Sequence, residues 1–327
     1  MNYILKGENA IYHECGFSSD NALFLSLHHD NYFITDSRYT YEAKLYVRDA
    51  LVVDGERDLV KKARQIIRKK RIKKLIIDPN EWSISEFEKL SKLNIHFTKK
   101  PNFSQQKRIV KTQNEVAIIQ EAVLKGALAF SEFEKVLKNG AGKSEKELNF
   151  LMQNTLKSNG LYELSFDPIV ALDENSALPH ALPTDKKLTQ ESLVLVDAGL
   201  KYKRYCSDRT RTYINHHDKK QQKVYDIVKK AHDEALKVAK EGVKASEIDK
   251  KAREVIDKAG YGKFFIHSTG HGVGLDIHEL PVISPKSDTV ITENMVFTIE
   301  PGIYLENEFG IRYENMVVVK NGKAEIV

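Results

Sequence analysis

Two stretches in the second half of the chain decide the fold. Residues 193–210 read LVLVDAGLKYKRYCSDRT, and residues 296–314 read VFTIEPGIYLENEFGIRYE. Each begins as an apolar strand, reaches an acid and a glycine turn, and continues to a second acid. The first acids, Asp197 and Glu300, lie 103 positions apart, and the second acids, Asp208 and Glu314, lie 106 apart. The pattern indicates two copies of one structural unit.

The first copy extends upstream of its acids. The pattern predicts a long helix over 113–137, followed by Ser144-Glu-Lys-Glu147, which is a capping-box start for a second helix. That helix is expected to end at Asn159-Gly160, because glycine favours the left-handed conformation that closes a helix. The segment SFDPIV then predicts a strand, and the loop LPHALP follows it.

The second copy has the same order of elements. A helix is predicted over 219–241, and a start at Ser246 has Asp249 in place of the glutamate, 102 positions after the start at Ser144. The next helix is expected to end near Gly260, KFFIHS predicts a strand, and DIHELP is the second histidine-containing loop. Two matched units predict a pseudo-two-fold domain whose hairpins bring two acids from each half to a shared centre.

The first third of the chain predicts a separate small α/β domain. NALFLSL and NYFITDS form a predicted hairpin, 59–67 has helical apolar spacing, and LIID from Leu75 is a predicted buried strand. The basic residues over 61–74 are interpreted as the solvated face of that helix, with an anionic partner as the alternative. We place the domain boundary near Gln106, with domains over 1–106 and 107–327.

Composition and length bound the remaining classes. The chain has 327 residues, a formal net charge of +5 and two cysteines, Cys15 and Cys206. We expect neither a disulfide framework nor a nucleic-acid partner from these values. The N-terminus lacks a basic start followed by an apolar core, and no run approaches the length of a membrane span. The expectation is a cytoplasmic protein with no membrane partner.

The four acids predict a metal site. Carboxylates crowded together repel unless cations or protons compensate them. A set of oxygen ligands with one imidazole favours Mn²⁺, Co²⁺, Zn²⁺ or Fe²⁺. The imidazole candidate is His271 in STGHGVGLDIHE, where flanking glycines disfavour a helix. Cys206 lies two residues before Asp208; a thiolate ligand is the alternative to a small buried side chain there.

The motifs resemble a known family. VDAGLKYKRYCSDRTRTY, STGHGVGLDIHELP, FTIEPGIY and GIRYENMVVV are similar to the metallopeptidases of the pita-bread fold. This family includes methionine aminopeptidase, Xaa-Pro aminopeptidase, Xaa-Pro dipeptidase (prolidase) and creatinase. GFSSDNALF and ITDSRY resemble the creatinase-type N-terminal domain of its proline-directed members. The resemblance implies an α+β chain, with a creatinase-like α/β N-terminal domain and a C-terminal pita-bread domain.

The resemblance also implies roles for individual residues. Asp197 would bind one metal through both oxygens, Asp208 and Glu314 would bridge two metals, and His271 and Glu300 would complete the ligands of the second metal. Glu300 would also relay a proton to the leaving proline nitrogen after a metal-activated water attacks the carbonyl. The outer residues expected to act on substrate or on site carboxylates are His180, His267, His278 and Arg312.

The implied function is a dinuclear metallo-aminopeptidase that cleaves Xaa-Pro bonds in short peptides with proline second. The alternative is a prolidase restricted to dipeptides; methionine aminopeptidase or a non-catalytic module on the same fold fits less well. Two divalent ions are expected, Mn²⁺ first with Co²⁺ or Zn²⁺ as alternatives, and a homodimer is expected. The chain departs from the family at Asn315, where aspartate usually follows the glutamate, and at YHECGFSS near the N-terminus.

Overall fold

The computed structural model describes residues 1–214 and 218–327. The chain divides into two compact units, Met1–Arg108 and Ile109–Val327. The assignment of residues 1–106 to a creatinase-like domain and 107–327 to a catalytic domain stays a prediction. Among the helices of the described residues, none combines the length and the apolar character needed to cross a bilayer.

The first unit is one six-stranded sheet with helices, and its strands run in the order β4-β3-β2-β1-β5-β6. The strands are β1 (Tyr3–Leu5), β2 (Ala22–Leu27), β3 (Asp30–Thr35), β4 (Leu51–Asp54), β5 (Lys74–Ile77) and β6 (His96–Lys99). The helices are α1 (Glu8–Cys15), α2 (Thr40–Tyr46), α3 (Leu59–Lys69), α4 (Ile84–Ser91) and α5 (Phe103–Arg108). The predicted hairpin is confirmed, because β2 and β3 pair antiparallel. In α3, Leu59, Ala63 and Ile67 are buried, which supports the interpretation of its basic residues as a solvated face.

The second unit carries four α-helices and thirteen strands over the described residues. The helices are α6 (Gln113–Lys138), α7 (Glu145–Lys157), α8 (Lys219–Val238) and α9 (Ala245–Lys258). The strands are β7 (Glu163–Leu164), β8 (Ile169–Leu172), β9 (Leu193–Ala198), β10 (Leu200–Tyr202), β11 (Tyr205–Cys206), β12 (Arg209–Ile214), β13 (Gly270–Gly272), β14 (Glu279–Ile283), β15 (Val296–Ile299), β16 (Gly302–Leu305), β17 (Phe309–Arg312), β18 (Asn315–Lys320) and β19 (Lys323–Ile326).

The repeat in the sequence is present in the structure. The first half builds the sheet β12-β9-β8 and the second builds β14-β13-β15-β18-β19, so β8-β9-β12 and β13-β15-β18 correspond. Each half adds a hairpin at the same point, β10 with β11 and β16 with β17. Each half also has its own apolar core, one beneath α6 and α7 and the other beneath α8 and α9.

Backbone hydrogen bonds repeat in detail. Gly142 N donates to Leu188 O at 2.8 Å, and Gly242 N donates to Ile291 O at 2.9 Å. These two glycines have φ angles of 85° and 84°, in the left-handed region that disfavours a side chain. The residue after each N-cap also makes the same backbone bond in both halves. Glu145 N donates to Lys186 O at 3.0 Å, and Ala245 N donates to Thr289 O at 2.9 Å.

One predicted helix start is wrong. Helix α7 is capped by Ser144, with Glu147 completing the capping box as expected. Helix α9, however, has Lys244 in the capping position, two residues before the predicted cap at Ser246. Glu247 accepts from Lys244 N at 3.2 Å and takes the position assigned to Asp249, so the two helix starts lie 100 positions apart.

Asp249 instead turns inward and anchors the strand beside the site. It is fully buried and accepts from Thr269 N at 3.1 Å and Thr269 Oγ1 at 2.8 Å. Arg253 donates to both of its oxygens, at 2.7 and 3.1 Å. The corresponding residue of the first half, Asn149, donates to Pro168 O. Both halves therefore tie the second helix to the strand by a buried side chain.

Two predicted strands are shorter or displaced. In SFDPIV only the end is a strand, β8, and Pro168 has no N–H to donate to a ladder. KFFIHS is not a strand. Its start overlaps a 3₁₀ turn over Gly262–Phe264. Arg253 donates hydrogen bonds to the carbonyls of Phe265 and His267, which are therefore not paired with a neighbouring strand. The strand follows at β13.

The two anchors predict unequal losses of stability. We expect Asp249→Ala to lower the free energy of unfolding by about 3–5 kcal/mol, because it leaves the Arg253 cation without its buried partner. Asn149→Ala, which breaks only neutral hydrogen bonds, is expected to cost about 1–3 kcal/mol. Urea denaturation of both variants measures the difference, and equal losses would contradict the assignment of a charged anchor to the second half only.

Candidate metal centre

The strand ends bring the predicted acids together. Asp197 lies in β9 opposite Thr210 of β12, and Asp208 directly precedes β12. Glu300 directly follows β15, Glu314 lies between β17 and β18, and His271 is the central residue of β13. All five stand at the ends or in the middle of strands whose hydrogen-bonded ladders fix the backbone.

Asp208, His271 and Glu314 form a compact set. Each offers one atom able to bind a metal, and these atoms all lie within 4.8 Å of one another. The His271 Nε2 lies 3.6 Å from Asp208 Oδ2 and 3.3 Å from Glu300 Oε1, so Glu300 adjoins the set. Asp208 and Glu314 are buried, and the side chain of His271 is 17% exposed. The imidazole is therefore the part of the set that solvent reaches most easily.

Asp197 is held by Arg312. The Arg312 Nη2 donates to Asp197 Oδ2 at 2.6 Å, and its Nη1 donates to the Tyr304 hydroxyl at 2.7 Å. Further bonds run from Nε to Thr210 Oγ1 at 3.1 Å and from Nη1 to Pro179 O at 3.3 Å. Burial by itself lowers the pKa of Arg312, but Tyr304, Asp197 and nearby Glu300 raise it well above its usual value. Arg312 is thus a fixed cation behind the site.

Two threonines and one carbonyl orient the other side chains. Thr210 donates to Glu314 Oε2 at 2.7 Å, and Thr298 donates to Glu300 Oε1 at 3.0 Å. The His271 Nδ1 lies 3.0 Å from Gly272 O, which can only accept a hydrogen bond. Nδ1 therefore carries the hydrogen in the neutral ring, and Nε2 keeps its lone pair toward Asp208 and Glu300.

The backbone also comes close at β13. A Cβ added to Gly270 would lie 2.0 Å from Thr298 O. The absence of a side chain there lets β13 approach β15, and His271 N donates to Thr298 Oγ1 at 3.0 Å. Glycine at this position is thus required by the distance between the strands rather than by flexibility.

The carboxyl groups repel one another. Burial, together with Glu314, Asp197 and Glu300, raises the pKa of Asp208 well above its usual value. Burial, Glu300 and Asp197 do the same for Glu314. Burial alone raises the pKa of Glu300, but the bond to His271 outweighs it and the pKa is about 2. Burial lowers and Glu300 raises the pKa of His271, to about 9. Only part of the negative charge is therefore compensated by the protein.

Two buried carboxylate oxygens fit a bound cation. Asp197 Oδ1 and Glu314 Oε1 are buried and have no hydrogen-bond partner among the described residues. A buried carboxylate oxygen without a partner is costly unless a proton or a cation satisfies it. Crowded acids, two open oxygens and an imidazole lone pair are the donor set of a divalent metal site.

The outer histidines surround this set at different depths. His267 Nε2 lies 2.9 Å from the Tyr304 hydroxyl, and burial lowers the pKa of His267. The exposed ring of His278 lies 4.3 Å from that of His271 between centroids. Burial and then the neighbouring His271 lower the pKa of His278. His180 is exposed and follows Pro179, whose carbonyl contacts Arg312.

The sequence interpretation missed Thr210, Thr298 and Tyr304. The two threonines lie two residues from Asp208 and Glu300, so strand alternation could have found them on the same face. The β16–β17 hairpin places Tyr304 at the site, and no pattern in the sequence indicates this placement. Cys206 is buried, its Sγ lies 3.7 Å from Leu275 O, and burial raises its pKa to about 11; it is not part of the three-residue set.

Comparisons with known proteins identify relatives of this chain. The model of metallopeptidase family M24 matches residues 117–321. The Xaa-Pro dipeptidase of Pyrococcus furiosus is 41% identical over 220 residues, which cover 67% of this chain and 62% of that protein, or less than two thirds of its length.

Solved structures match over nearly the whole chain. The Xaa-Pro dipeptidase from Bacillus anthracis has a TM-score of 0.94 at 30% identity, and the match covers 99% of this chain and 92% of that chain. The X-Pro aminopeptidase from Thermotoga maritima MSB8 has a TM-score of 0.88 at 35% identity, with coverages of 99% and 94%. These matches confirm the two-part α+β fold expected from the sequence.

The repulsion at the site predicts opposite effects of one substitution. We expect Asp208→Asn to leave the melting temperature of the metal-stripped protein unchanged or higher, because it removes a buried negative charge. We also expect Mn²⁺ to raise the melting temperature of the wild type, since binding to the native state stabilises it, and the same variant should lose this rise. Thermal unfolding with and without Mn²⁺ measures both effects.

Asp185→Asn is the matched control, because the Asp185 side chain is 85% exposed at the surface. It should keep the full rise with Mn²⁺. A metal-dependent rise of wild-type size in Asp208→Asn would contradict the inclusion of this carboxylate in the centre.

Proposed function

Because this chain belongs to metallopeptidase family M24, we propose that it is a metal-dependent hydrolase of Xaa-Pro dipeptides, that is, an Xaa-Pro dipeptidase. The observation that carries the proposal is the convergence of Asp208, His271 and Glu314 on one point. The names of the similar proteins from P. furiosus and B. anthracis support the dipeptide substrate.

The sequence interpretation preferred an Xaa-Pro aminopeptidase, which also accepts longer peptides. One specific observation supports the aminopeptidase, namely the structural similarity to the X-Pro aminopeptidase from T. maritima. It is therefore the second candidate. Both activities cleave the same bond and differ only in whether residues beyond proline are accepted. The metal centre therefore supports both equally.

The proposed metal ligands are the five residues expected from the family resemblance. They are Asp197, Asp208, His271, Glu300 and Glu314. Two divalent ions bound there would polarise the substrate carbonyl and make water nucleophilic near neutral pH. Mn²⁺ is the proposed ion, with Co²⁺ and Zn²⁺ as alternatives.

Glu300 is proposed to move the proton. Thr298 and His271 both contact Oε1, so we assign the transferred proton to Oε2. An ionised carboxylate at this position can accept a proton from the attacking water. It would then deliver the proton to the leaving proline nitrogen.

The outer residues are proposed to bind and orient substrate. His267 is buried beside Tyr304, and burial keeps its pKa low, so it can act as a neutral hydrogen-bonding group for the tetrahedral oxygen. His278 and His180 are exposed, and we assign them to contacts with the bound peptide. Arg312 positions Asp197 and balances its charge. The homodimer stays a prediction from the family resemblance, and the cytoplasmic location stays a prediction from the sequence.

A substrate panel of different lengths tests the choice between the two activities. We expect the Mn²⁺-loaded protein to cleave Xaa-Pro dipeptides and to leave Xaa-Pro-Xaa tripeptides intact. Product analysis by chromatography measures both. Cleavage of the tripeptides at similar rates would establish the aminopeptidase instead, and failure on both lengths would overturn the proposed function.

Loss of the proton acceptor predicts a fall in turnover. Glu300→Gln should lower kcat by about 10²–10⁴-fold, the usual contribution of a general acid–base group. Metal content measured on the same samples separates this loss from loss of metal. Glu132→Gln, at an exposed residue of α6, is the matched control and should keep wild-type kcat. A variant at Glu300 with full turnover would exclude it as the proton carrier.

A further inference from the structure

Asn315 follows Glu314 directly and joins three elements of the second unit. It is 5% exposed at the start of β18. Its Oδ1 accepts from Arg211 Nη2 of β12 at 2.7 Å, and its Nδ2 lies 3.1 Å from His232 Nε2 of α8. His232 is 1% exposed. None of these contacts belongs to the proposed catalytic steps.

The chemistry of the donors fixes the direction of each bond. Arginine only donates, so the Asn315 oxygen faces Arg211 and the amide NH₂ faces His232. An amide NH₂ also only donates, so His232 Nε2 must be an unprotonated acceptor. The hydrogen of the neutral ring is therefore on Nδ1, which lies 3.0 Å from Asp233 Oδ1. Burial lowers the pKa of His232, in agreement with a neutral ring.

The chain of bonds therefore runs one way, from Arg211 through Asn315 and His232 to Asp233. Lys229 donates to both oxygens of Asp233, at 2.9 and 2.8 Å. The Tyr313 ring packs beside this chain. It lies 4.3 Å from the Arg211 guanidinium, and its centroid lies 5.0 Å from the ring of His232. Hydrogen bonds aligned in this way strengthen one another.

The other arm of Arg211 reaches the backbone of the site. Its Nη1 donates to Thr210 O at 2.7 Å and also to Glu314 O. Thr210 in turn donates through its hydroxyl to Glu314 Oε2. The guanidinium thus holds the main chain of both residues that place the Glu314 carboxylate, and Asn315 holds the guanidinium.

We propose that Asn315 is a positioning residue for Glu314, and that it acts through Arg211 with the neutral, Nδ1-protonated ring of His232 as its required acceptor. An aspartate at this position would turn a second acceptor toward the His232 lone pair. The two acceptors repel unless the ring gains a proton within the protein interior, which is costly. The neutral pair Asn315 and His232 therefore adds no further negative charge next to the crowded carboxylates.

The test combines single and double variants at these two positions. The effect on metal rests on the proposed metal site, whereas the state of the histidine ring does not. Asn315→Asp should raise the Kd for Mn²⁺ by about 10–100-fold, the usual effect of disturbing a residue behind a metal ligand. His232→Gln supplies a side chain that can accept from the native asparagine or donate to the introduced aspartate, so it should weaken binding less. The double variant should recover most of the affinity lost in Asn315→Asp.

Nitrogen NMR of metal-free, ¹⁵N-histidine-labelled protein measures the protonation of the His232 ring nitrogens directly. The His232 signals, identified by their loss in His232→Gln, should show a protonated Nδ1 and an unprotonated Nε2 in the wild type. In Asn315→Asp, Nε2 should gain a proton at neutral pH. Asn315→Leu removes both bonds, and His232→Gln should not rescue it.

Three results would overturn the proposal. They are a protonated Nε2 in the wild type, unchanged Mn²⁺ affinity in Asn315→Asp, and equal rescue of the aspartate and leucine variants by His232→Gln. If Asn315→Asp fails to fold, recovery of the folded state by His232→Gln supports the pairing, and no recovery counts against it. Wild-type protein that binds no Mn²⁺ but shows the expected ring would refute the proposed metal function alone.

Discussion

Repulsion among buried carboxylates is the constraint on which the second unit depends. Asp197, Asp208, Glu300 and Glu314 meet where two sheets end, and each raises the energy of the others in ionised form. The closest compensating contacts are those of Arg312 with Asp197 and of His271 with Glu300. Asp208 and Glu314 are compensated less, and their pKa values are raised well above normal, by burial first and by the other acids next. This pair marks the place where an added cation stabilises the structure most.

The duplicated fold explains how four acids can meet without sharing a helix or a loop. Each half ends a strand at one acid, makes a short hairpin and returns at the second acid. The halves have diverged where compensation is needed. His271 has no counterpart, because the residue in register in the first half is the buried Ala171, opposite Leu195 as His271 is opposite Thr298. The symmetric backbone therefore carries an unsymmetric set of side chains.

The sequence predicted the hairpins and the acids because these depend on local patterns, and it predicted the repeat because the same local patterns recur about 100 positions apart. The start of α9 was misplaced because Ser246 resembles a cap, while the backbone bridge between Ala245 and Thr289 decides the boundary. KFFIHS has the composition of a strand, but Arg253 takes its carbonyls. The contact of Asn315 with His232 joins positions 83 residues apart, and no local pattern indicates it. No single motif of the sequence separates an activity on dipeptides from one on longer peptides, and the preference for the aminopeptidase came from the family resemblance alone.

Each half orients one acid of the other half. Arg312 of the second half crosses to Asp197 of the first, while Thr210 of the first crosses to Glu314 of the second. Arg211 of the first half holds the carbonyl of Glu314, and the Thr212 hydroxyl of the same strand donates to the carbonyl of Arg312 at 3.0 Å. Asp197 and Glu314 are thus each oriented by a side chain from the opposite repeat, and a shift of one half against the other would disturb both pairs together. The exchange couples the packing of the two sheets to the geometry of the centre, so both halves are needed to build the site.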